Sequence, residues 1–236
     1  MVFSTSTITY KDLPGIKSLN GTQITHTDSF KYLGIWIDSN LSFKTHIHHL
    51  IRKLKFKLSF LYRIKGCLST SNRKIIVLSS FVSVLDYGDI LYCHAAPSTL
   101  NQLNPVYHSA LRFITNDNFY THHCTLYQKV GWSSLQSRRN IHLMLFIYKA
   151  LLCKLPNYLT SLLSFKSSNY KTRSTDYITL NIPRTRTNVG RTGFNYYAPL
   201  KFNGLQSTLK LQSIIHLGHF KSLLSDFFTD NCNCFC

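Results

Sequence analysis

Glutamate is missing from this 236-residue chain: all nine of its acidic residues are aspartates. That absence excludes every mechanism that needs a Glu acid, base or metal ligand. The nine aspartates are scattered and no two are adjacent, whereas a two-metal phosphoryl-transfer site clusters carboxylates to hold its cations a few ångströms apart. Asp86 and Asp89 in LDYGDI come nearest, but Gly88 between them weakens a helix. The pair reads as polar residues at a helix end. Long apolar runs are absent too. No stretch approaches the ~20 apolar residues of a membrane span, and MVFSTSTITYKD lacks the basic region and apolar run of a signal peptide. The expected location is therefore intracellular, in nucleus or cytoplasm, with no membrane partner. No Ser-His-Asp or Cys-His order stands out, and no glycine loop suited to cradling phosphate.

What the chain has in excess is positive charge. Lys and Arg number 27, giving a formal net charge of +18. Such an imbalance points to a polyanionic partner, nucleic acid first and an acidic membrane surface second. Apolar residues make up 44% of the chain, enough for a packed core of one or two domains. Four cysteines, Cys67, Cys93, Cys124 and Cys153, are isolated, and three more end the chain in NCNCFC. Without a secretory signal these read as intracellular thiols rather than a disulfide framework.

Along the chain, residues 2–9 (VFSTSTIT) are β-branched and loosely alternating, as a strand would be. KDLPG gives a turn, a second short strand fits 22–26, and Phe30–Ile37 reads as a third strand. After Asp38-Ser39-Asn40 the period becomes helical: Ile47, Leu50, Ile51, Leu54, Leu58 and Leu61 form one stripe. Arg52, Phe56, Ser59 and Arg63 lie opposite it with His49 and Phe60 close by, and Lys53, Lys55 and Lys57 flank it. Cations interleaved with aromatics suit a nucleic-acid backbone with stackable bases. They equally suit a helix buried on two sides with snorkelling Lys and Arg, and the two readings are compatible. Residues 73–87 are apolar nearly all round, as in a core helix. Leu100, Leu103, Tyr107, Ala110, Leu111 and Ile114 repeat the stripe, with Pro105 near its start. A further helix fits 134–153, with Arg138-Arg139 on its exposed part and Pro156 as its stop. The segment 164–193 turns polar and basic, and a last helix fits 212–228. The fold class is α+β: a short N-terminal antiparallel sheet (1–40), a mostly helical bundle (41–160) and an irregular basic region with a Cys-rich tail (161–236).

Six stretches in order, FKYLGIWIDSNLSFKTHI, VYHSALRFIT, THHCTLYQKVGW, RRNIHLMLFIYKALLCKLP, TRS and YYAPLKFNGLQSTLK, resemble the C-terminal third of the reverse transcriptase of LINE-type non-LTR retrotransposons, particularly those abundant in fish. The resemblance covers nearly the whole chain. It implies that FKYLG closes the polymerase palm, in or next to the β-hairpin that steadies the primer end. It further implies that the basic helix after it belongs to the thumb that grips the template–primer. Carried over, the nucleic-acid contacts are Lys31, Tyr32, Leu33 and Gly34, with Arg52, Lys53, Lys55, Lys57 and Arg63 on the helix. Phe202-Asn203 stands where the family has Trp-Asn. The paired-aspartate palm motif is absent, and Met1-Val2-Phe3-Ser4 looks like an internal family segment. The resemblance thus implies a truncated RNA-directed DNA polymerase fragment without catalytic residues. It would hold no cofactor, although the parent family uses Mg2+, and its partners would be RNA–DNA hybrid or RNA and the missing palm and fingers.

Two competing readings are sharper. His26-Thr27-Asp28 matches part of the facial triad of iron/2-oxoglutarate oxygenases, and the YLG region resembles a module named for the N-terminus of a tRNA-modifying AlkB homologue. Those oxygenases house the triad in a double-stranded β-helix, while residues 40–160 read as helices. NCNCFC, with HLGH (His216, His219) or His122-His123-Cys124, offers soft ligands, but it lacks the spacers of a structural zinc site. An exposed oxidisable tail and no metal is the expectation there. HIHH at 46–49 reads as a polar helix start.

Overall fold

The computed structural model describes residues 17–23, 27–166 and 177–229. The expected strand at 2–9, most of the one at 22–26, His26 and the cysteine tail lie outside them. The architecture is α+β: one two-stranded antiparallel sheet among the described residues, followed by helices. The chain divides into two compact units, Met1–Val130 and Gly131–Cys236.

The first unit begins with β1 (Ser29–Tyr32) and β2 (Ile35–Asp38). The single strand expected over Phe30–Ile37 is a hairpin instead, in register Ser29↔Asp38, Phe30↔Ile37, Lys31↔Trp36 and Tyr32↔Ile35. The reason is the turn. Leu33 and Gly34 both take positive φ, 46° and 87°, the pattern of the two-residue turn whose twist matches paired strands. Gly34 therefore serves as a turn residue rather than a strand bulge.

Beyond β2, the Asp38 carboxylate accepts from Ser42 N (2.6 Å), Ser42 Oγ (2.5 Å) and Phe43 N (3.4 Å). It thereby ties the sheet to α1 (Lys44–Arg63). Ile47, Leu50, Leu54, Leu58 and Leu61 are buried as their spacing predicted, while Ile51 is half-buried at the stripe's edge. Each fully buried Leu or Ile contributes roughly 1.5–3 kcal/mol, so this stripe anchors the unit. After α1 come α2 (Thr70–Ile76), its π-helical continuation Val77–Val82, α3 (Ser83–Asp86), α4 (Asp89–Tyr92), α5 (Pro97–Asn101), α6 (Asn104–Thr115) and α7 (His123–Val130). The Val77–Val82 segment, α3, α5 and α6 pack against α1, while α2 and α7 pack on α6. The core of the unit is made by Val77, Phe81, Val82, Leu85, Leu103, Tyr107, Ala110, Leu111 and Phe113.

The 73–87 run is not buried all round. Ile75 and Leu78 are exposed, because only one face of this stretch meets the core. Gly88, at φ 67°, breaks the run, and a side chain there would collide with Ile35 Cδ1. The hairpin and the α3–α4 corner thus sit in direct contact.

In the second unit, α8 (Leu135–Leu151) starts on Ser134, whose side chain accepts from Ser137 N (3.1 Å). Arg139, expected to be exposed, is buried. The inward stripe runs through Leu135, Leu143, Met144, Ile147 and Tyr148, which turns Arg139 toward the core. Cys153, at φ 53°, ends the helix, and Pro156 opens α9 (Asn157–Thr160). α10 (Asn188–Thr192), α11 (Phe194–Leu209) and α12 (Leu217–Thr229) follow. Tyr148 stacks on Phe220 at 3.8 Å and donates to Ile215 O (2.7 Å). Asn203 closes a second tie: it accepts from Leu180 N and donates to Leu180 O, each at 2.8 Å.

Candidate nucleic-acid interface

The cations predicted from sequence are spread over the hairpin and three sides of α1. A helix advances 100° per residue, so with Leu54 at the centre of the buried stripe, Lys53 and Lys55 fall on opposite flanks. Arg52 and Arg63 lie at the back. Lys57 is half-buried on the Lys53 side. None of these five, nor Lys31, has an ion-pair partner among the described residues, where Lys129–Asp117 is the salt bridge that forms (2.6 Å).

The structure brings two of them together. Lys31 and Lys53 line a groove of about 480 Å³, with Gly34 and Trp36 from the hairpin, His46, His49 and Leu50 from α1, and Ser83, Val84 and Tyr87 beyond. The pairing follows from local rules. Lys31 is directly opposite Trp36 in the ladder, so both stand on the same sheet face. His49 and Lys53 are four apart on α1 and share a helix face. Trp36 and His49 stack, with ring centroids 4.6 Å apart and planes 11° from parallel. Among the described residues no acidic side chain lines this groove.

The groove's rim is held from beneath. Tyr87 Oη donates to Leu33 O (2.7 Å), and its ring lies 3.3 Å from where a Gly34 Cβ would stand. His46, expected to belong to a polar helix start, is buried instead. Its Nδ1 accepts from Trp36 N (3.4 Å), while Nε2 is buried without a partner. Burial, and then the neighbouring His49, push its pKa below the ordinary 6.5, so it stands neutral at pH 7.

The remaining predicted residues fall elsewhere. Tyr32 and Leu33 are on the opposite side of the hairpin, lining an apolar hollow with Ile35, Ile37, Phe43 and Leu91. Lys55 lines a hollow against α6 with Tyr62, Pro105 and Ser109. Arg52 and Arg63 share the outer face of α1 with Phe56, which is 79% exposed, and Phe60, 59% exposed. Among the described residues nothing covers those two aromatics. Sequence reasoning missed Trp36 and placed His49 near the outer face of α1 without pairing it to the hairpin. The cross-strand position of Trp36 opposite Lys31 was hidden while FKYLGIWID was read as one strand.

A metal reading of His26-Thr27-Asp28 finds no support. His26 lies outside the described residues, and the described fold is a two-stranded sheet with helices, not a double-stranded β-helix. No helix among the described residues is long and apolar enough to cross a membrane.

No family model matches the chain, and no solved structure matches it. Two relatives do. The RNA-directed DNA polymerase from mobile element jockey of Drosophila funebris is 31% identical over 119 residues, 49% of this chain, and its Drosophila melanogaster counterpart is 34% identical over 110 residues, 45% of this chain. The matched segments span 13% and 12% of those polymerases. Over about half its length, then, this chain is similar to a small part of the RNA-directed DNA polymerase of a retrotransposon.

Proposed function

We propose that this chain is a nucleic-acid-gripping portion of a reverse transcriptase of the LINE type, as in fish elements, and that it holds RNA–DNA template–primer or RNA on the hairpin and α1. In this reading residues 1–40 are the palm edge, 41–160 the thumb and 161–236 the C-terminal region of the polymerase. The carrying observation is the acid-free groove in which Lys31 and Lys53 flank the Trp36–His49 stack. Ammonium groups neutralise phosphates and a flat aromatic platform takes bases, the combination that single-stranded and duplex grooves use. Lys31, Tyr32, Leu33 and Gly34 are the proposed hairpin contacts, and Arg52, Lys53, Lys55, Lys57 and Arg63 those of α1. The similarity to jockey polymerases supports the same reading.

The chain has no paired aspartates, so by itself it binds without extending a primer. Among the described residues the groove offers ammonium, imidazole, indole, phenol and one serine hydroxyl but no carboxylate. It therefore does not fit the Mg2+ of the parent family, an ion that prefers hard oxygen ligands, and the proposal involves no metal-dependent step. The test is binding of a labelled RNA–DNA hybrid to the purified chain across a salt series, with primer extension on the same preparation. Salt-sensitive binding without extension is the expected result. Absence of binding, or extension above a no-protein control, would overturn the proposal.

A further inference from the structure

His122, just before α7, and His123 and Cys124, its first two residues, each offer one ligand atom within 4.8 Å of the others. Around them is an aromatic wall. His123 stacks on His108 at 5.1 Å with planes 10° from parallel, and its centroid lies 4.0 Å from that of His122. His108 Nε2 is bonded to Tyr127 Oη (2.7 Å). Leu126 and Val130, both buried, fix α7 beneath the cluster. These contacts restrain the His123 ring, while His122 is exposed and Cys124 half-buried, which leaves a path for an ion from solvent.

We propose that His122, His123 and Cys124 bind a zinc ion through two imidazole nitrogens and one thiolate sulfur, with a fourth position left to water or an added ligand. The donor set selects the metal. Two imidazoles and a thiolate, without a carboxylate, suit borderline-soft Zn2+ and disfavour Mg2+ or Ca2+. With bond lengths near ~2.0 Å to nitrogen and ~2.3 Å to sulfur, tetrahedral donors stand roughly 3.3–3.8 Å apart. From the 4.8 Å within which the donors lie, reaching that spacing takes a closure of roughly 1–1.5 Å. On binding, Cys124 loses its thiol proton to solvent as the sulfur–zinc bond forms. Arg112, on α6, is held by its own contacts: Nη2 donates to Thr121 O (3.3 Å) and the guanidinium lies over Phe119 at 5.1 Å. The consequence is an ion held on the first turn of α7, independent of whether the chain binds nucleic acid.

Cobalt(II) titration of the full chain tests it, because cobalt–thiolate charge transfer reports a cysteine ligand directly. Three proteins are compared: wild type, Cys124→Ser, and Cys232→Ser/Cys234→Ser/Cys236→Ser. The proposal predicts the band in wild type and in the triple variant, its loss in Cys124→Ser, and displacement of cobalt by zinc. It also predicts that His122→Ala weakens zinc binding, measured against a chelator, by at least roughly 100-fold, the upper end of what loss of a mere outer-shell partner costs. His122 is exposed, so this variant serves should Cys124→Ser not fold. Loss of the band in the triple variant, its persistence in Cys124→Ser, or no thiolate band at all would overturn the site.

Discussion

Replacing Lys31 and Lys53 together by Ala probes the groove where its geometry is most specific. Both ammoniums line the groove of the Trp36–His49 stack, and neither forms an ion pair among the described residues. Each phosphate neutralised on duplex DNA contributes about 0.9 to the slope of log K against log salt, and about 0.7 on a single strand. Losing two such contacts should flatten the slope by about 1.8 on duplex and about 1.4 on a single strand. The exposure of both side chains limits the direct loss at low salt to roughly 1 kcal/mol each, together about thirtyfold in affinity. Fluorescence anisotropy of a labelled RNA–DNA hybrid over a salt series reads both quantities, with helical content by circular dichroism as the folding control. An unchanged slope refutes the groove. Flattening in Arg52→Ala/Lys55→Ala/Arg63→Ala with none in Lys31→Ala/Lys53→Ala would move the interface to the other faces of α1 and refute it too.

Three further outcomes follow from the packing. Leu33→Asn should stabilise the protein by about 1 kcal/mol in urea unfolding, because Leu33 sits at φ 46° and is 73% exposed, and Asn-Gly suits this turn. Asn203→Ala should cost roughly 2–4 kcal/mol by the same measurement, since it strands both the N–H and the C=O of fully buried Leu180. Lowering pH should destabilise the chain through His46 and His94, whose pKa values burial depresses. For a base with a lowered folded pKa the contribution is complete above the unfolded value of 6.5 and is lost as pH falls from there toward the folded value. Unfolding midpoints should therefore drop below pH 6.5, and His46→Gln should show a shallower drop; equal slopes would contradict the assignment.

The helical part of the fold was legible because its signals are local. Five of the six stripe residues of α1 are buried, and Pro105 lies in the first turn of α6. The misreadings share a cause, which is that tertiary contacts decide what periodicity leaves open. FKYLGIWID has no Asn or Asp before its glycine, so the turn at Leu33-Gly34 carries no composition signal. It is held instead by Tyr87, 54 residues on. Arg139 and His46 are polar residues on core-facing positions, and a hydropathy pattern assigns such residues outward. The groove was partly legible: Lys53 was read from the helix pattern and Lys31 came only with the resemblance, while their meeting depends on the hairpin register and on the α3–α4 corner at Gly88. Trp36 and His49, the aromatic half, could be placed only with that register in hand.

Fluorescence of Trp36 tests the central claim most directly. Trp132 is the other tryptophan, so Trp132→Phe leaves Trp36 as the sole reporter inside the groove. The account predicts that an RNA–DNA hybrid quenches this signal, that the quench saturates at the affinity given by anisotropy, and that added salt reverses both together. Tight hybrid binding with Trp36 emission unchanged would contradict it.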